Sequence, residues 1–184
     1  MGNNTENKPL VVVYTSKTGF TERYAKMFAN LTELPIYTYK EAKKKLAPDT
    51  KVIFFGWIMM GGIKDYKTAR TKFDICAMCG VGMGATGDQI DLIRDANMLA
   101  DDFPVFTMQG GLQPGRIHGI YRKILKMMRK QVLKTIPGDP MYRTAQQQKV
   151  VDMFRAGGDF VHPDNLADVL RWYLAYTGET LDED

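Results

Sequence analysis

The chain has 184 residues, 45% of them hydrophobic, and 25 Lys and Arg against 21 Asp and Glu give a net charge of +4; this supports one buried core and one domain. The longest uncharged apolar stretch, Val52 to Ile63, is too short to span a bilayer, and residues 1–9 are polar with no signal-peptide core. A cytoplasmic protein is expected, without an N-terminal lipid anchor, because Glu6 stands where a myristoylation signal wants Ser or Thr. The expected organisation is a disordered tail over 1–9, a single domain over 10–178 with an insertion at about 137–164, and an acidic tail over 179–184.

The first element is the β-branched run Leu10–Thr15, predicted to be a buried strand, followed by an amphipathic helix ending near Leu31. Between them lie Ser16, Lys17, Thr18, Gly19, Phe20 and Thr21. A tight turn here aims backbone N–H groups, hydroxyls and the positive end of the helix at one point, which suits an anion. Gly19 admits a close ligand, and Ser16, Thr18 and Thr21 offer hydroxyl donors. The run lacks the Gly-x-x-x-x-Gly-Lys-Ser/Thr pattern of a nucleoside-triphosphate loop, so a monophosphate ester fits better.

Val12, Val13, Tyr14, Ser16, Gly19, Thr21 and Ala25 fall, in order, on the first-loop pattern of the flavodoxin family, which this stretch resembles. Two positions depart from it: Phe28 replaces an aliphatic residue, and Phe20 stands where many flavodoxins carry Asn. The resemblance implies non-covalent FMN, with its phosphate held by Ser16, Lys17, Thr18, Gly19 and Thr21 and with Phe20 in the same loop.

Further along, strands are predicted at Ile36–Tyr39, Lys51–Gly56, Phe73–Gly80 and Val105–Met108. Helices are predicted at Lys40–Leu46, Tyr66–Arg70, Asp88–Leu99, Ile117–Thr135 and Asn165–Thr177. Five short apolar strands alternating with helices make an α/β fold with a doubly wound, five-stranded parallel sheet and helices on both faces. The resemblance implies the flavodoxin-like strand order 2-1-3-4-5. Ligands of such sheets bind beyond the carboxyl ends of the strands, where strand order reverses.

After the third strand comes Gly56-Trp57-Ile58-Met59-Met60-Gly61-Gly62, read as an apolar loop, and large apolar loop residues need something to cover. By resemblance Trp57, Ile58, Met59, Met60 and Gly61 line one wall of the flavin, with Trp57, Met59 or Met60 on the ring and Gly61 near its edge. After the fourth strand, Gly80 to Gly87 is read as a backbone wall in which Gly82, Met83, Gly84, Ala85 and Gly87 face the ring's pyrimidine end, and Asp88 as the N-cap of the next helix. This stretch has no aromatic where many flavodoxins place one, which leaves a ring face open.

Cys76 and Cys79 lie in a predicted strand, where alternation sends positions three apart to opposite faces; two buried core thiols are expected, and no metal site. Ile117, Ile120, Tyr121, Ile124, Leu125, Met128 and Val132 recur at helical spacing and predict a core face. Around them Arg116, Arg122, Lys123, Lys126, Arg129, Lys130 and Lys134 add seven positive charges with no acid between 116 and 134, leaving −3 for the rest of the chain. Such a helix fits an acidic partner or peripheral membrane contact through 116–134 better than nucleic acid, so no nucleic-acid partner is expected. Residues 109–177 are similar in layout to the quinone-coupled protoporphyrinogen dehydrogenases. His118 and His162 are read as loop residues.

Three readings of function follow. One is an FMN-binding electron carrier serving a redox partner protein. The second is an FMN-dependent dehydrogenase of a porphyrinogen or quinone type acting near the membrane, with a porphyrinogen's carboxylates pairing with Arg116, Arg122 or Lys123. The third is a flavin-free docking module.

Overall fold

In a computed structural model the described residues are 10–178. The segments expected to be tails, 1–9 and 179–184, lie outside them. The chain divides into two compact units: one runs to Gly110 and resumes at Val161, and the other is Gly111–Phe160.

The first unit is α/β. Its strands are β1 (Val11–Tyr14), β2 (Ile36–Thr38), β3 (Lys51–Met59), β4 (Gly62–Ile63), β5 (Asp74–Gly82) and β6 (Val105–Gln109). Five run parallel in the order β2-β1-β3-β5-β6, and β4 pairs antiparallel with the end of β3. The helices are α1 (Phe20–Thr32), α2 (Tyr39–Lys45), α3 (Tyr66–Ala69) and α4 (Ile90–Asn97), with α7 (Ala167–Thr177) returning from the other unit.

Strand alternation divides the core between two layers. Val12, Ile53, Phe55, Ala77, Cys79, Val81 and Met108 meet the apolar face of α1 and Val169 and Tyr173 of α7. Val11, Val13, Val52, Phe54, Met78 and Val105 meet Tyr39, Ala42, Tyr66, Ala69 and Ile93 on the other side. Because helices cover both faces, these strands read as unbroken hydrophobic runs. In α1, Phe20, Tyr24, Ala25, Phe28 and Ala29 recur at helical spacing and are buried. Phe28 touches Phe55 at 5.5 Å between ring centroids and meets Tyr173 edge-on at 5.7 Å.

Alternation fails at one place. Val52 pairs with Ile75 and the next residue, Ile53, with Ala77, so Cys76 is an extra residue bulged out of β5. The two thiols were expected on opposite faces and both buried. Cys79 is in the core, but Cys76 is half-buried and accepts a hydrogen bond from Tyr176 Oη of α7, on the face that also holds Cys79.

The second unit contains β7 (Gly111–Leu112) paired antiparallel with β8 (Gly158–Asp159), the helix α5 (Ile120–Lys134) and a helix not expected from sequence, α6 (Ala145–Ala156). A capping box starts α6: Thr144 Oγ1 accepts from the Gln147 N–H, and the Gln147 side chain accepts from the Thr144 N–H. Leu112, Met153 and Phe154 are its buried apolar residues. No residue of α5 is buried, so its expected core face is a half-buried stripe of Tyr121, Ile124, Leu125, Met128 and Val132, with Ile120 exposed. The unit's small core offers α5 too little surface to bury it.

Candidate functional site

Strand order reverses between β1 and β3: from β1 the sheet runs toward β2, and from β3 toward β5. Beyond the carboxyl ends of such a strand pair the flanking connections part and leave a crevice. The loop after β1 stands on one side of it and the end of β3 on the other. The Thr15 N–H donates to the Phe55 carbonyl at 2.9 Å, extending the ladder. Thr15 Oγ1 then donates to Asp65 Oδ2 at 2.9 Å, joining the loop to the segment that follows β4. Lys64 Nζ lies 3.2 Å from Asp65 Oδ1 and offsets that carboxylate's charge.

The loop turns into α1 at Gly19, whose φ of 98° is accessible to glycine at little cost. No side chain caps α1, and its first-turn N–H groups have no intrahelical partner. The Gly19 N–H donates to Ser16 Oγ at 3.2 Å, which leaves the Ser16 proton to donate elsewhere. Lys17 is exposed, and Ser16, Thr18 and Gly19 are half-buried. Phe20 and Thr21, at 5% and 2% exposure, are buried instead. Phe20 opens the apolar face of α1, so its ring belongs to the core and only its backbone faces the loop. Tyr14 ends β1 beside this loop; burial, then the nearby Glu22, push its phenol up and keep it neutral.

The expected loop after the third strand is a β-hairpin. β3 continues to Met59, Ile58 pairs with Ile63 and Met59 with Gly62, and the turn is Met60-Gly61 with φ of 51° and 77°. Two central residues with positive φ match the twist of a two-residue hairpin. Alternation places Trp57 and Met59 on the face of Phe55 and Ile58 on the face of Phe54. Ile58 and Ile63 press onto Gly56, Gly80 and Gly82: a Cβ on Gly56 would run into Ile63 Cγ2, one on Gly80 would lie 2.8 Å from Ile63 Cδ1, and one on Gly82 3.0 Å from Ile58 Cδ1. These glycines therefore seat the hairpin on the sheet, and Ile58 is spent on packing. Met60, 68% exposed, is at the tip.

The segment Met83–Gln89 folds back along β6. The Gly87 N–H donates to the Thr107 carbonyl, Thr107 Oγ1 to the Asp88 carbonyl, and the Gln109 N–H to Thr86 Oγ1. Met83, Gly84 and Ala85 are half-buried, whereas Gly87 is exposed. Asp88 is not the expected N-cap: α4 begins after Gln89, and the Asp88 carboxylate accepts from the Ala85 N–H at 3.2 Å, closing its own turn.

Three contributors were not legible in sequence. Asp65 is one. Tyr24, fully buried, donates from Oη to the Gln109 carbonyl at 2.6 Å and accepts from Asn165 Nδ2 at 2.6 Å and the His162 N–H at 3.3 Å, fixing the end of β6. Asn97, 1% exposed, donates from Nδ2 to the carbonyls of Gly61 (3.2 Å) and Ile93 (2.7 Å), tying the hairpin turn to α4. Its Oδ1 has no partner among the described residues. Hairpin, α3 and α4 border a pocket of about 290 Å³ lined by Met59, Gly62, Ile63, Lys64, Asp65, Lys67, Thr68 and Asn97.

Burial pushes the Cys76 thiol up and the Cys79 thiol well up, so neither is a thiolate nucleophile at neutral pH. Among the described residues no group of three or more His, Cys, Asp or Glu is placed to hold a metal ion, and no helix is long and apolar enough to cross a membrane. The chain matches no protein-family model, no curated protein and no solved structure.

Proposed function

We propose that the chain is a flavodoxin-like protein that binds FMN and works by electron transfer. One observation carries the reading: at the strand-order reversal, an uncapped helix start with a hydroxyl-bearing loop is tied through Thr15 and Asp65 to the segment after the β3–β4 hairpin, whose strand β3 carries Trp57 and Met59 by alternation on the face of Phe55. The order β2-β1-β3-β5-β6 supports it, being 2-1-3-4-5 once the short arm β4 is left aside. The first-loop pattern from Val12 to Ala25 supports it as well.

In this reading the first-turn N–H groups of α1, the Ser16 and Thr18 hydroxyls and Lys17 hold the phosphate. Trp57 and Met59 supply the apolar wall, and the backbone around Gly82 to Ala85 the polar edge. When bound, the flavin supplies the one- and two-electron chemistry. The protein sets its affinity, orientation and access to water.

One observation favours an FMN-dependent dehydrogenase as a second reading. Residues 83–89 contain no aromatic and are pinned along β6, so they put no ring over the crevice for a planar quinone or porphyrinogen to displace.

The test is titration of the flavin-free protein with FMN, followed by flavin fluorescence and the visible spectrum. The expected result is one equivalent bound at micromolar or tighter affinity, weakened at least about tenfold by Gly19→Val. No binding overturns the reading and leaves a docking module. Stepwise reduction then separates the two redox readings: single-electron steps mark a carrier, and one two-electron step with a quinol or porphyrinogen marks the dehydrogenase.

A further inference from the structure

We infer that α5 carries a docking face for an anionic lipid bilayer, made of Ile120, Lys123, Met127, Lys130 and Lys134. This goes beyond the flavin reading and does not rest on it. At about 100° per residue, Ile120 and Met127 lie two turns apart on one line of the helix, and Lys123, Lys130 and Lys134 flank that line on one side. This line is separate from the half-buried stripe of Tyr121, Ile124, Leu125, Met128 and Val132. Ile120 is 62% exposed and Met127 46%. Two large apolar side chains therefore stand in solvent among lysines instead of spilling from a core.

The charge selects the occupant. Residues 116–134 hold seven basic side chains and no acid, so a second copy of this helix would be repelled. A nucleic acid would engage the lysines and leave Ile120 and Met127 in water. A bilayer with anionic headgroups takes both: lysine stems lie along the headgroup boundary with their ammonium groups on lipid phosphates, while Ile120 and Met127 enter the acyl region. In the same unit Met141 and Tyr142 are 80% and 72% exposed, adding apolar surface of the kind that partitions to an interface.

The full chain is sedimented with vesicles of phosphatidylcholine containing about one-third phosphatidylglycerol, and with phosphatidylcholine alone. Binding to the first and not the second is expected. The triple variant K123Q/K130Q/K134Q loses about a hundredfold in partitioning, and I120S/M127S about tenfold. All five positions are exposed, so far-UV circular dichroism and the melting temperature stay at wild-type values and report an intact fold. Failure to bind anionic vesicles overturns the inference. Equal binding by I120S/M127S also overturns it, because the face is then a bare polycation suited to nucleic acid or an acidic protein.

Discussion

Helices α1 and α5 start alike and end differently. They run 13 and 15 residues, and each follows a glycine of positive φ, Gly19 at 98° and Gly119 at 63°, with no side-chain cap. Both are amphipathic in sequence. Yet α1 buries six residues and α5 none. Helical spacing states which face wants cover; it does not state whether the chain supplies any. For α1 the cover is a parallel sheet whose residues Val12, Ile53 and Phe55 meet it directly. For α5 the surrounding unit offers Leu112, Met153 and Phe154 as its buried apolar residues and two strands of two residues each.

Truncating the two helices gives the largest expected effects. Phe28→Ala removes a fully buried ring held between Phe55 and Tyr173, and should cost about 3–5 kcal/mol in urea denaturation. Ile124→Ala on the half-buried stripe of α5 should cost under about 1.5 kcal/mol. Equal losses would break the contrast and mean that α5 has a core after all. Next is Gly80→Ala, whose Cβ would meet Ile63 at 2.8 Å and Ile58 at 3.1 Å. Overpacking there should cost about 1–3 kcal/mol. Gly80→Ala combined with Ile58→Val and Ile63→Val should recover part of the loss, since the clash is with those side chains.

The sheet was legible because buried parallel strands are continuous apolar runs, and Val11–Tyr14 and Val105–Gln109 lie within a residue of their expected ends. The hairpin was hidden because Trp57 to Gly62 reads as a loop unless Met60-Gly61 is taken as a two-residue turn, and only the seat made by Gly56, Gly80 and Gly82 makes that pairing profitable. Helix α6 did carry a local sign, Thr144 three residues before Gln147, ahead of Val150, Val151, Met153 and Phe154. The Cys76 bulge carried none, because register belongs to two strands at once. At the candidate site the loop was readable from its hydroxyls and glycine. Asp65, Tyr24 and Asn97 were not, since each acts on a partner at least 36 residues away in sequence.

A smaller effect separates helix starts closed by their own side chains from the open start of α1. Thr38 and Glu41 cap α2 reciprocally, and hydrogen bonds from the Thr38 side chain and backbone hold the Glu41 carboxyl below its ordinary range. Thr38→Ala should cost about 1 kcal/mol. Its sign with pH follows from the lowered carboxyl: the contribution is present above the unfolded pKa and lost as pH falls through the folded one. Ser16→Ala before α1 should lose less stability than Thr38→Ala but weaken the proposed FMN binding about tenfold. If Ser16→Ala instead destabilises the protein and leaves FMN binding alone, that loop is merely a cap.

The smallest expected effect lies far from the crevice, at the bulge. Tyr176 Oη donates to Cys76 Sγ at 3.4 Å, and that bond first, then burial, raises the phenol from 10.0 to about 12. Because the folded pKa lies above the unfolded one, the contribution is fully present below pH 10 and is lost as pH rises from 10 toward 12. Tyr176 is 44% exposed, so solvent screens much of it. Denaturation midpoints of wild type and Tyr176→Phe, measured from pH 8 to 12, should converge as the pH rises, with wild type the more stable at the low end. Curves that coincide over the whole range would mean that the tyrosine stabilises α7 by stacking on Trp172 at 5.0 Å, a contact the phenylalanine keeps, and not through the thiol.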